Sequence, residues 1–163
     1  MKNTINEIIL CFLLFFVASI QAQSSQGFSE KILGSWYGTG TLFGQTATFT
    51  MNWENELNAK FVKLTFENRF TDKSGVERVM NADAYYHLRQ SKGHWFDSRG
   101  IMLPLSLDIT ENSMTVLWGN ESSEKGKTIY SITDKEHLSV QDFVFKDGSY
   151  HPFGIADYRR LKH

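Results

Sequence analysis

The 163-residue chain has one cysteine and two prolines. Cys11 falls inside an N-terminal apolar run, so a chain trimmed behind that run has none. That excludes disulfides, a thiolate zinc site and a cysteine nucleophile from the remainder, and an exported domain of this kind must be held by its core alone. An excess of either charge is also lacking. Seventeen basic and 18 acidic residues leave a formal net charge of −1, which argues against nucleic acid as a partner. No G-x-S-x-G, H-E-x-x-H or phosphate-loop motif occurs. His87, His94, His137, His151 and His163 include no pair at H-x-H spacing, so no metal site is expected from them. Behind the N-terminus no apolar run is long enough to span a membrane.

The first residues read as an export signal. Lys2, partly offset by Glu7, precedes the apolar run Ile8–Ile20, and Ala22 offers a small residue before Gln23. This order of charge, apolar core and small residue marks residues 1–22 as a signal peptide. The run is shorter than the roughly 20 residues of a spanning helix. Cys11 does not make a lipoprotein signal, because Ile9 and Leu10 are not small. The expected location is therefore periplasmic or secreted. Residues 23–33 read as a polar lead-in followed by one helical turn, with Phe28 and Ile32 on one side.

From residue 34 to 163 the pattern has period two, the signature of half-buried strands. Ala47, Phe49, Met51 and Trp53 alternate with Thr46, Thr48, Thr50 and Asn52. Val62, Leu64 and Phe66 alternate with Lys63, Thr65 and Glu67. Met80, Ala82, Ala84, Tyr86 and Leu88 alternate with Asn81, Asp83, Tyr85, His87 and Arg89. Turn chemistry separates the runs, most plainly at Asp72–Gly75 and at Asp147-Gly148. Ten strands are expected, at 35–43, 45–54, 59–68, 77–89, 93–98, 102–109, 112–118, 127–132, 137–146 and 150–160. Short connections make neighbours antiparallel. The fold class is all-β, a single antiparallel up-and-down barrel of about ten strands behind a short helical turn.

The first strand favours a barrel over a sandwich. Trp36, Gly38 and Gly40 share one face, and glycines in a strand ask for a bend or for room on the inner side. A short N-terminal turn, the Gly34-x-Trp36 motif and a run of antiparallel strands resemble the calycin superfamily of lipocalins, fatty-acid-binding proteins and nitrobindin-like barrels. GSWYGTGTLFG resembles the nitrobindin opening, and IADYRRL its closing strand. The resemblance implies a barrel closed by Trp36 under Arg159 or Arg160. It also implies, for a nitrobindin-like member, a haem ligand near Phe153 or Ile155. The nearest histidine is His151, so haem binding would rest on that residue.

The residues leave the contents of the barrel open between three readings. One is an exported binding protein for a small hydrophobic or amphipathic molecule, with Trp36, Phe49, Trp53, Tyr85, His87, Trp118, Phe143 and Phe153 as pocket residues. Another is a haem protein or small enzyme, in which Asp83, Tyr85 and His87 would point inward and handle protons. The last is an interaction module with a filled core. The face carrying Asp83, Tyr85 and His87 has two readings, solvated outer surface or wet interior, and Asp142 within VQDFVF has the same two.

Overall fold

Alternation of apolar and polar side chains becomes ten strands that close on themselves. The computed structural model describes residues 27–162. The expected signal peptide, with residues 23–26 of the lead-in, lies outside the described residues. A helix, α1, spans 27–32. The strands are β1 (Gly34–Leu42), β2 (Gln45–Glu56), β3 (Phe61–Thr71), β4 (Glu77–His87), β5 (Lys92–Asp97), β6 (Met102–Ile109), β7 (Ser113–Trp118), β8 (Gly126–Ile132), β9 (His137–Lys146) and β10 (Ser149–Arg160). Each strand pairs antiparallel with its sequence neighbours, and β1 pairs with β10 to complete the ring.

Closure removes both sheet edges. It rests on the register of β1, which runs from Gly34 opposite Trp53 to Leu42 opposite Gln45 on one side. On the other side it runs from Trp36 opposite Arg160 to Leu42 opposite Gly154. Gly40 has a specific reason to be glycine, since a Cβ there would lie 2.0 Å from the Ile155 carbonyl oxygen and 2.7 Å from the Ala156 Cα. A Cβ on Gly38 would meet the Tyr158 ring at 2.6 Å. The two glycines therefore let β10 and its tyrosine press against β1.

The interior face carries Phe49, Met51 and Trp53 from β2, Val62 and Leu64 from β3, and Ala82, Ala84 and Tyr86 from β4, all buried. Leu103, Leu105, Leu107, Met114 and Val116 continue it on β6 and β7. One end of the barrel is plugged. Phe28 and Ile32 of α1 are fully buried there, as is Trp36. Burying a side chain of this size contributes about 1.5–3 kcal/mol. The other end carries the β1–β2, β3–β4, β5–β6, β7–β8 and β9–β10 turns.

The plug is locked by Arg160. Its guanidinium lies over the Trp36 ring at 4.1 Å, a cation–π contact. It donates to the carbonyls of Leu33, Lys31 (2.5 Å) and Lys135 (2.7 Å), tying α1 and the β8–β9 turn to the last strand. Trp36 Nε1 donates to the Ile32 carbonyl at 2.8 Å. Gly34 has φ +112°, and a Cβ there would sit 2.8 Å from Arg160 Nη1. The Gly-x-Trp motif is thus a seat for an arginine. Arg159, the other expected closing residue, faces outward, where its Nη1 lies 2.8 Å from His137 Nε2.

Candidate functional site: a cavity in the barrel

Above the plug the barrel encloses a cavity of about 650 Å3, within the range of small-molecule sites. Its wall is mostly apolar, with Phe49, Phe66, Leu105, Val116, Trp118 and Val140 among its residues. The filled core expected of an interaction module is therefore not what the barrel holds. A depression of about 700 Å3 on the outer face, lined by residues such as Thr50, Asn52, Thr65 and Asp83, is open to solvent and not enclosed.

Polar groups interrupt the apolar wall at a few points. Asn68 is buried in β3, and its Oδ1 has no hydrogen-bond partner. Buried polar atoms are seldom left so. Asp142, half-buried in β9, lines the cavity and accepts a 2.6 Å hydrogen bond from Thr128 Oγ1 of β8. Burial pushes its carboxyl up to about 6, against the opposing Thr128 hydrogen bond. Tyr86, Tyr130 and Tyr158 also line the cavity. Tyr86 and Tyr130 are hydrogen-bonded to each other, and desolvation raises all three phenols well above their ordinary value. The Asp142 charge contributes to each of those shifts.

The mouth is ringed by charge and aromatic rings. Asp72 pairs with Arg78 at 2.7 Å, and Arg99 pairs with both Asp97 and Glu124 at 2.7 Å. Burial pushes the Asp97 carboxyl up, but hydrogen bonds from Arg99 and Trp95 outweigh it and hold the group below the usual carboxylate value. Phe43, exposed at the β1–β2 turn, stacks on Phe153 with ring centroids 5.1 Å apart. The Phe43 N–H donates to the Phe153 carbonyl at 2.7 Å. Phe153 turns inward because the β9–β10 register shifts between Pro152 and Gly154.

Of the residues expected in the pocket, Phe49, Trp118 and Phe153 line the cavity. Trp53 lies beneath it, packed on Tyr86 (5.2 Å) and Tyr130 (5.4 Å). Trp36 belongs to the plug. Tyr85, His87 and Phe143 are corrections, because all three face outward. Tyr86 is the inward residue of its strand, which turns its neighbours away. Tyr85 lies under Lys63 Nζ (5.9 Å), His87 packs edge-on against Phe61 (5.0 Å), and Phe143 lies under Lys127 Nζ (4.9 Å). Asp83 is on the same outer face, bonded to Thr65 and Lys63, so no proton-handling set of Asp83, Tyr85 and His87 forms inside.

His151 does not fit a haem ligand. It is exposed on the β9–β10 hairpin, and its Nε2 is engaged 2.9 Å from Ser149 Oγ and 3.2 Å from the Lys146 carbonyl. Asn68 and Tyr130 went unrecognised in the sequence. Asn68 keeps the phase of Val62, Leu64 and Phe66, so extending that run by two residues would have placed it inside.

A ten-strand closed meander, plugged at one end by a short helix and an arginine-capped tryptophan, with an internal cavity, is a calycin-like barrel. Solved structures agree on the fold. The S-type phycobiliprotein lyase CPES from Guillardia theta superposes with a TM-score of 0.56 at 8% identity, over 86% of this chain and 94% of that one. EF1p2_mFAP2b, solved bound to DFHBI, superposes with a TM-score of 0.50 at 10% identity, over 85% of this chain and 99% of that one. No family model matches the chain, and no curated protein is similar to it in sequence.

Proposed function

We propose that the protein is an exported carrier that holds one small, largely apolar molecule with a polar end inside the barrel. The observation that carries this reading is the 650 Å3 cavity, with apolar walls and few convergent polar groups. Such a composition is the general form of a small-molecule site. That a barrel of similar fold holds DFHBI supports the reading as analogy, since a fold hosts many functions. Export is supported by the order of charge, apolar run and small residue in 1–22.

Protein purified from its native compartment, extracted with organic solvent and analysed by mass spectrometry, is expected to release a stoichiometric small molecule. Its N-terminus is expected to begin near Gln23. Extracts without any such molecule, together with no binding across a panel of amphipaths, would remove the carrier reading. Retention of the protein in the cytoplasm would remove the export reading.

A further inference from the structure

The charged groups of the cavity wall leave one sign unpaired. Asp142 offers a carboxylate whose one hydrogen bond comes from Thr128, and no lysine, arginine or histidine among the described residues pairs with it. Asn68 is a neutral amide whose Oδ1 is buried without a partner, and it adds no charge of either sign. The ionised Asp142 carboxylate accepts hydrogen bonds and cannot donate one to a ligand's oxygen. The charged lining residues are Asp72, Glu124 and Asp142 against Arg78 and Arg99. The two arginines are already engaged, Arg78 by Asp72 and Arg99 by Asp97 and Glu124. The uncompensated charge of the cavity is therefore negative, and it lies on Asp142.

The surroundings of Asp142 suit a cation for a second reason. The titratable groups whose environment its charge enters are Tyr86 on β4, Tyr130 on β8 and Tyr158 on β10. All three are neutral phenols at physiological pH, with their ionisation pushed further upward by burial. Phe49 packs on Tyr158 at 5.9 Å and extends this aromatic wall. Aromatic faces attract ammonium groups, more strongly where water is excluded, and a charge-assisted hydrogen bond to a carboxylate is stronger than a neutral one. A carboxylate ligand would meet the opposite, a like charge in a confined apolar space.

We infer that the occupant is an organic amine, its ammonium group held at the Asp142 carboxylate beside Tyr86, Tyr130 and Tyr158, with its apolar body toward Phe66, Trp118 and the mouth. This rests on the carrier reading and narrows it to one ligand class. The test is calorimetric titration at pH 7.5 with decylamine, decanol and decanoate, each below its aggregation concentration, on the wild type and on Asp142→Asn. The amine is expected to bind the wild type about tenfold or more tighter than the alcohol, and decanoate is expected to bind weakest. In Asp142→Asn the preference for the amine over the alcohol should be lost.

Equal binding of the three by the wild type would overturn the amine assignment and leave the carrier reading standing. So would an undiminished amine preference in Asp142→Asn whose circular dichroism matches the wild type. Binding of none of the three would count against both readings. Should Asp142→Asn fail to fold, the wild-type comparison of amine, alcohol and carboxylate still decides.

Discussion

Asp142 stands at a position where the alternation of β9 places Leu138 and Val140 on the inner face. Holding a carboxylate there has a cost that depends on pH. Its folded-state pKa of about 6 lies above the ordinary value of 3.8. Between those two values the folded protein binds more protons than the unfolded chain, so stability falls as pH rises from about 4 to about 6. At neutral pH the ionised carboxyl costs at most about 3 kcal/mol, at roughly 1.4 kcal/mol per pKa unit. Asp142→Asn is therefore expected to be more stable than the wild type at pH 7, with the difference shrinking toward pH 4. Urea denaturation across pH checks this, and a wild type that gains stability over the variant as pH rises would contradict it. At this scale the sequence was half legible. Asp142 and the face of Asp83, Tyr85 and His87 each had two readings, because one residue of register exchanges the faces of a strand. Pairing settles both, with Tyr86 opposite Val62 and Val140 opposite Tyr130.

The elements were more legible than their ends. All ten strands form within a few residues of where alternation puts them. β4 stops at His87 because Leu88–Gln90 form a 3-10 turn that ends on Ser91 at φ +50°, and nothing in the Leu88-Arg89 pattern distinguishes that turn from a continuing strand. The irregularity in β10 was invisible for a different reason. A bulge shifts which residues share a face, so counting back from Tyr158 in twos gives Ala156, Gly154 and Pro152, and Phe153, expected in the pocket as an aromatic residue, reaches the cavity only through the shift.

The seam between the last strand and α1 carries its own expectation. Arg160 donates to three carbonyls and covers Trp36, whereas Arg159 is exposed on the outer face. Arg160→Ala is expected to cost about 3 kcal/mol, from charged hydrogen bonds worth 1.5–3 each before relaxation. Arg159→Ala should stay within about 0.5 kcal/mol. Denaturant midpoints of the two variants measure the contrast, and similar losses in both would argue against Arg160 as the lock.

At the scale of the molecule, a plugged ring with one mouth separates what holds the fold from what a ligand touches. The closed end gathers Phe28, Ile32 and Trp36, while the cavity wall above it is thinly filled by Val116, Val140 and Val144. Enlarging one of these should reduce binding before it reduces folding. Val144→Trp is expected to weaken a bound amphipath about tenfold or more with unchanged far-UV circular dichroism. In the wild type, a ligand at 100 times its Kd should add about 2.7 kcal/mol, raising Tm by on the order of 10 °C. Thermal melts of both proteins with and without ligand test this. An equal Tm rise in Val144→Trp would place the ligand elsewhere.

The four tryptophans divide along the same line. Trp95 and Trp118 border the cavity, while Trp36 and Trp53 are buried below it and in the plug. The chain thus carries two sets of native fluorophores, one beside the occupant and one beside the seam. Occupancy should quench or shift the emission of the upper pair alone, whereas opening of the helix–arginine seam should redden the lower pair. Single-tryptophan versions would turn the barrel into its own two-channel optical gauge, one channel for loading and one for integrity, with no dye attached.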